Sequence, residues 1–272
     1  VKRIGRLFAY GFVLLTTGVT VFPFLYMVSA SLMSFQEATG VPPALLPAHA
    51  RWSNFGEALR AAPFARYAVN TLIVSGLSTL GTLATTVLAA FALVRLRFRF
   101  KRLLMGVMVA LLMVPYEILV FTNYRTIAQL GLLDTYAALI LPSLASVFYI
   151  LYLCQYLTAI PDTYYKAAIV NGCGDLEYMW RIMIPMSRSA LFTMALLLFI
   201  SGWNSFLWPI LVTNTTDMRL VGNGLSAFVT ESGTAVQLQM AASTIIVLPI
   251  LILYAVFHRR IIEGVHVNGI KR

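Results

Sequence analysis

Charge is what this sequence has least of. Charged side chains make up 11% of its 272 residues, against about 25% in soluble globular chains. Acids are scarcest, ten Asp and Glu beside twenty Lys and Arg. With 60% hydrophobic residues and a mean hydropathy of +0.82, a chain of this size cannot hide its apolar surface from water. The solvent has to be lipid. Cysteine is nearly absent, which excludes a disulfide framework; Cys154 and Cys173 also lack metal-ligand spacing. His49, His258 and His266 are scattered and suggest no metal site. No G-x-x-x-x-G-K-[ST] run occurs, so the chain is expected to bind no nucleotide cofactor itself. No Ser/His/Asp set stands out, and the chain reads as non-enzymatic.

What is there is a series of long apolar runs. They predict an all-α polytopic membrane protein, residues 1–272 forming one transmembrane domain with six spans. The spans are placed at about 8–31, 67–93, 103–121, 136–158, 190–213 and 240–257. The first is too long for a signal-peptide core of about 7–15 residues. A mixed segment from Leu32 to Arg66 carries Pro42, Pro43, Pro47 and a short helix near Asn54–Arg60. In the second span Ser75, Gly76, Ser78, Thr79, Gly81, Thr82 and Thr85 are small and suit close helix packing.

The net charge of +10 would suggest nucleic acid in a soluble protein. Here the cations cluster at the ends of apolar runs and mark topology instead, so no nucleic-acid partner is expected. Arg95, Arg97, Arg99, Lys101 and Arg102 read as an anchor for membrane lipid headgroups. With six spans, only Arg51, Arg60, Arg66, Arg125 and Arg219 of the twenty cations lie opposite the termini. Lys and Arg mark the cytoplasmic side, so both termini and the loop at 160–189 are expected in the cytoplasm.

That loop, IPDTYYKAAIVNGCGDLEYMWRIMIPMSRSALFT from Ile160 to Thr193, is too polar for its surroundings. It predicts two short helices with a glycine break. Asp162 and Asp175 are the expected N-caps, and Gly172 and Gly174 the stop between them. Within the spans, few polar groups could meet a solute. Glu117, after Pro115, either faces a cavity or sits solvated at the outer headgroups. Asn204 in mid-span lies near Trp203 and Trp208. Indole beside amide suits sugar rings, while an interfacial belt and an interhelical bond are the plainer readings. Asn70 is a candidate ligand or a packing amide.

The loop resembles the EAA loop of ABC-importer permease subunits, approximately E-A-A-x-x-D-G-A and then a Leu-Pro-Leu-like step. Here the matching residues are Lys166-Ala167-Ala168-Ile169-Val170-Asn171-Gly172-Cys173 and Ile184-Pro185-Met186. Asn70 in VNTLIVSG, QLGLLDTYAALILP (129–142), WNSFLWP (203–209) and the tail RRIIEGVHVNGIKR are similar to the carbohydrate-uptake branch, near the maltose-transporter type. The resemblance implies a permease in a bacterial or archaeal cytoplasmic membrane. Its implied partners are a second homologous permease, two ABC ATPase subunits that use ATP-Mg, and an extracytoplasmic solute-binding protein that delivers carbohydrate. Tyr164, Tyr165, Lys166, Ala167, Ala168, Asn171, Gly172 and Pro185 would then couple to an ATPase. Lys166 and Asn171 depart from the family's acids, and Ser189 stands where a second proline is common. Glycerol-phosphodiesters, amino sugars or polyols are alternative cargoes. A stand-alone secondary transporter or channel would need paired intramembrane charges, and Glu117 has no evident partner.

Overall fold

The computed structural model describes residues 2–230 and 233–266, with side chains described for 9–229 and 233–258. The helices are α1 (Lys2–Ser31), α2 (Phe35–Thr39), α3 (Ser53–Ala61), α4 (Phe64–Arg95), α5 (Lys101–Leu111), α6 (Tyr116–Gln129), α7 (Tyr136–Ile140), α8 (Val147–Thr158), α9 (Asp162–Val170), α10 (Asp175–Tyr178), α11 (Ile184–Met186), α12 (Arg188–Trp203), α13 (Leu207–Val212), α14 (Val221–Gly224) and α15 (Val236–His266). A two-residue ladder pairs Val229 with Thr234 and Thr230 with Gly233. The fold is all-α, as the apolar runs predict. The end of the family-like tail, 267–272, lies outside the described residues.

Among the described residues, three stretches, Ala9–Ser31, Phe64–Arg95 and Val236–His258, are long and apolar enough to cross a membrane. Three bent helix pairs raise the number to six if each pair is one span. Ala9–Ser31 has none of its most apolar window buried in protein, and Tyr10, Leu14 and Val19 are exposed around it. A helix apolar on all sides without protein cover belongs in lipid.

The apolar runs do not fold as uninterrupted rods. The run placed at 103–121 becomes α5 and α6, bent by 102°. Pro115 causes this: it has no N–H to bond the Leu111 carbonyl, and its ring clashes there. The run at 136–158 bends by 43° between Ser143 and Val147, beside Pro142 in a 3-10 turn (Leu141–Ser143). The run at 190–213 stops at Trp203 and restarts at Leu207. Pro209 leaves the Ser205 carbonyl without a helical donor.

The chain divides into two compact units, residues 1–64 with 224–253, and residues 65–223 with 254–272. In the first, Ala30, Met33 and Ala38 form a small core. Asn54 donates to the Ser31 and Met33 carbonyls, each at 2.8 Å, and so closes the end of α1. Ser34 and Glu37 form a capping box on α2.

In the second unit α4 is the spine, and its small residues permit close approach. A Cβ on Gly202 of α12 would come within 3.0 Å of Ser75 Oγ. Thr82 donates to the Ser143 carbonyl at 2.7 Å, and Thr85 to that of Leu144. One end of α4 contributes Val74 to a cluster with Val120, Leu139, Trp208 and Val212. The other contributes Val87, Ala90, Phe91 and Leu93 to a cluster with Leu153, Leu157, Ala168, Tyr178 and Met183.

The Glu37 carboxylate accepts from the Ser34 N–H at 2.7 Å and the Ala48 N–H at 3.0 Å. These bonds, Ser34 first, lower its pKa from 4.5 to about 2. A depressed carboxylate stabilises the fold above its unfolded value, and that stabilisation is lost as pH falls through the folded one. The clamp should therefore be fully present above pH 4.5 and disappear on acidification towards pH 2. Carbonyl-selective NMR titration of Glu37 should find it ionised at pH 3.5; a midpoint at 4.5 would show that the clamp is absent.

Candidate functional site

The loop after α8 folds as the helix pair that the sequence predicts, with two corrections. Asp162 and Asp175 are not the N-caps. Pro161 and Gly174 hold those positions without a side-chain bond, and each aspartate sits one residue inside its helix. The reason is that both carboxylates are committed elsewhere. Asp162 pairs with Arg95, and Asp175 accepts from the Tyr165 hydroxyl at 2.6 Å. That bond, with burial second, pushes the Tyr165 pKa up to about 12.

The turn between the helices is a Schellman motif. Gly172 has φ +80°, its N–H bonds the Ile169 carbonyl at 2.9 Å, and the Cys173 N–H bonds that of Ala168 at 3.0 Å. Asn171 donates its side-chain amide to the Ala167 carbonyl at 2.7 Å. An ionised aspartate cannot make that bond, which gives this departure from the family pattern a local use.

The eight residues assigned to coupling divide by face. Tyr165 and Ala168 turn inward: Tyr165 stacks edge-on against Tyr178 at 4.9 Å and against Phe91 of α4 at 6.4 Å, and Ala168 is buried. Tyr164, Lys166, Ala167, Asn171, Gly172 and Pro185 are exposed, and Val170 beside them is 86% exposed. Beyond Asp175 the helix widens into a π turn, Met179–Met183, just ahead of Pro185. Asp175–Met186 and α12 then meet at 80°.

The basic patch also divides. Arg95 is buried. Lys101 donates to the Val94 and Leu96 carbonyls at 3.2 and 3.3 Å, closing the end of α4. Arg97, Arg99 and Arg102 are exposed, which leaves these three for headgroups.

A second feature is a cavity of about 500 Å³ in the same unit. Its polar lining includes Thr79, Thr82, Tyr116, Asn123, Tyr149 and Ser205, and among the described residues no charged side chain lines it. All three helix breaks reach it, through Tyr116, through Ser143 and Ser146, and through Ser205. Backbone that leaves the helix at membrane depth is tolerated where it is covered by protein or lines such a space.

The sequence candidates for the solute path are not brought together here. Trp208 lines the cavity, its indole N–H held by the Ala138 carbonyl at 2.9 Å. Trp203 is buried against Phe199. Asn204, expected in mid-span, is the exposed residue after α12 ends. Glu117 is exposed in the first turn of α6. Asn70 is buried and occupied: it donates to the Asp217 and Arg219 carbonyls at 2.7 and 3.0 Å and accepts from Tyr136 at 2.6 Å. Sequence reading passed over Tyr116, Asn123 and Tyr149. It assigned Thr79 and Thr82 to packing alone; the signal for Tyr116 was its place directly after Pro115.

The comparisons agree with this architecture. Two relatives are sn-glycerol-3-phosphate transport system permease proteins UgpE. That of Yersinia enterocolitica is 29% identical over 262 residues, 93% of each chain. That of Escherichia coli O1:K1 is 29% identical over 267 residues, 95% of each. A chain of a bacterial ABC transporter involved in the import of the acidic polysaccharide alginate superposes with a TM-score of 0.82, covering 94% of this chain and 96% of that one at 23% identity. Residues 81–266 match the family described as binding-protein-dependent transport system inner membrane component, and the chain belongs to that family: it is a membrane-spanning permease subunit of an ABC importer.

Proposed function

We propose that this subunit forms part of the path for a neutral sugar and is driven through the loop at 160–189. The observation that carries the cargo is the cavity: hydroxyls, an amide, two phenols and an indole, with no charge among its described lining. Sugars offer hydroxyl edges and apolar ring faces, which such a lining matches. A phosphate ester would bring an anion into a low-dielectric space without a cation to meet it, which is costly. The relatives named for sn-glycerol-3-phosphate favour the other cargo, and the uncharged lining favours the sugar.

As a binding-protein-dependent permease, the subunit works with an ATPase and a solute-binding protein. In our reading the assembly holds two ATPase subunits and a second homologous permease, and both termini face the cytoplasm. ATP-Mg is bound and hydrolysed by the ATPases. The exposed face of α9, with Tyr164, Lys166, Ala167 and Val170, sits in an ATPase cleft. Two small-to-medium apolar side chains beside a tyrosine suit a helix lying close in a groove. Closure of the ATPase pair would then move α9 as a rigid body.

Three outcomes are expected. In a thermal-shift panel, the co-encoded binding protein should be stabilised by a neutral sugar, and the importer's uptake of that sugar should slow about three- to tenfold in Asn123→Ala, the loss of about one hydrogen bond. Stabilisation by glycerol-3-phosphate alone would overturn the cargo. Gly172→Trp forces a large side chain into a left-handed turn and should leave the subunit in the membrane while abolishing ATPase stimulation by the loaded binding protein; full stimulation would remove the loop from coupling. Finally, a structure of the complex should place an acidic or neutral ATPase surface opposite Lys166, and a basic one there contradicts the docking.

A further inference from the structure

Arg95 is the last residue of α4, and its side chain is 2% exposed. Burying a guanidinium is expensive unless it is paired and hydrogen-bonded. Here it is both. One terminal nitrogen pairs with Asp162 in the first turn of α9. The other reaches the Leu157 carbonyl at 3.4 Å and the Ile160 carbonyl at 3.3 Å, at the end of α8 and in the link to α9. One side chain therefore joins the ends of two membrane helices to the start of the loop helix. Asp162 is 69% exposed, so the pair is anchored on the α4 side and open on the α9 side. It borders a cavity of about 420 Å³ that Arg97, Lys101 and Lys166 also line, with Asp162 as the single carboxylate among its described lining residues. Arg95 is thus the buried one among several cations around the same acid.

The other links between α9 and α4 are apolar, Tyr165 and Ala168 against the Phe91 end of the cluster. Apolar contacts are non-directional and permit sliding. A buried, charge-assisted bond fixes direction as well as distance.

We propose that the Arg95–Asp162 pair is the positioning contact that transmits displacement of α9 to α4 and α8, so that without it α9 still docks and ATP is still hydrolysed but the spans respond weakly. This rests on the reading of α9 as the ATPase-contacting helix.

The test uses the assembled importer in proteoliposomes, in a chain carrying Cys154→Ala and Cys173→Ser. The reporter is Asn123→Cys at the polar cavity, whose maleimide labelling rate is compared with and without MgATP and vanadate. The ATP-driven change in rate should fall about two- to thirtyfold in Asp162→Asn, the range of coupling energies for single side chains. Hydrolysis per assembled complex should be retained. Asp162→Glu keeps the charge and should keep the change. Arg95→Met removes the buried charge without stranding it and should match Asp162→Asn. A merely structural pair would lower the yield of complex and leave the ATP-driven change per complex intact, and that result overturns the proposal, as does an Asp162→Glu variant as weak as Asp162→Asn. A separate cross-link from Tyr164→Cys to the ATPase tells the two readings apart. If it forms while Asp162→Asn responds fully, the strut is wrong and the docking stands; if it does not form, both fall.

Discussion

In lipid, a backbone carbonyl or amide that leaves its helix has to find another partner, and this constraint organises the larger unit. Prolines at 115, 142 and 209 accompany the breaks in the apolar runs at 103–121, 136–158 and 190–213. Each break frees polar backbone at a depth where water is scarce. At the break beside Pro142 the released groups are met by side chains from neighbouring helices. Thr82 and Thr85 of α4 bond the carbonyls of Ser143 and Leu144, and Trp208 bonds that of Ala138. The breaks then share one polar space. Two of these prolines, Pro142 and Pro209, themselves line the cavity.

A related economy governs the loop. Its polar side chains are mostly occupied in holding its own shape. Asn171 closes the end of α9, Asp175 holds Tyr165, and Asp162 holds Arg95. On α9 the outward side chains include Tyr164, Ala167 and Val170, with Lys166 its exposed cation. The inner face of α9 is thus fixed by an ion pair and an aromatic cluster.

Composition and the placement of glycine carried the fold class and the place of the glycine turn. Gly172 was legible because only a residue that accepts positive φ ends a helix in that way. Asn70 and Asn204 were not legible as they stand. An amide in an apolar run can bind solute, cap a neighbouring loop or mark a helix end. The carbonyl partners of Asn70 lie far along the chain, and the Asn204 side chain has none among the described residues. The same applies to Arg95, one of five cations in eight residues, which a local reading assigns together to headgroups. Only its burial separates it from Arg97 and Arg99.

The sequence by itself determined that this chain lives in lipid, that it is helical, and that a polar, glycine-broken loop interrupts the spans. Those follow from composition and short-range pattern, which act within a few residues. The tertiary structure decided which breaks meet, which hydroxyls line their junction, and which arginine joins α4 to α9. Those depend on groups far apart in the chain, 67 residues for Arg95 and Asp162, and no local propensity encodes such a pairing. Close approach of helices through small residues brings them together, and the cost of leaving a buried polar group unpartnered then fixes who bonds to whom.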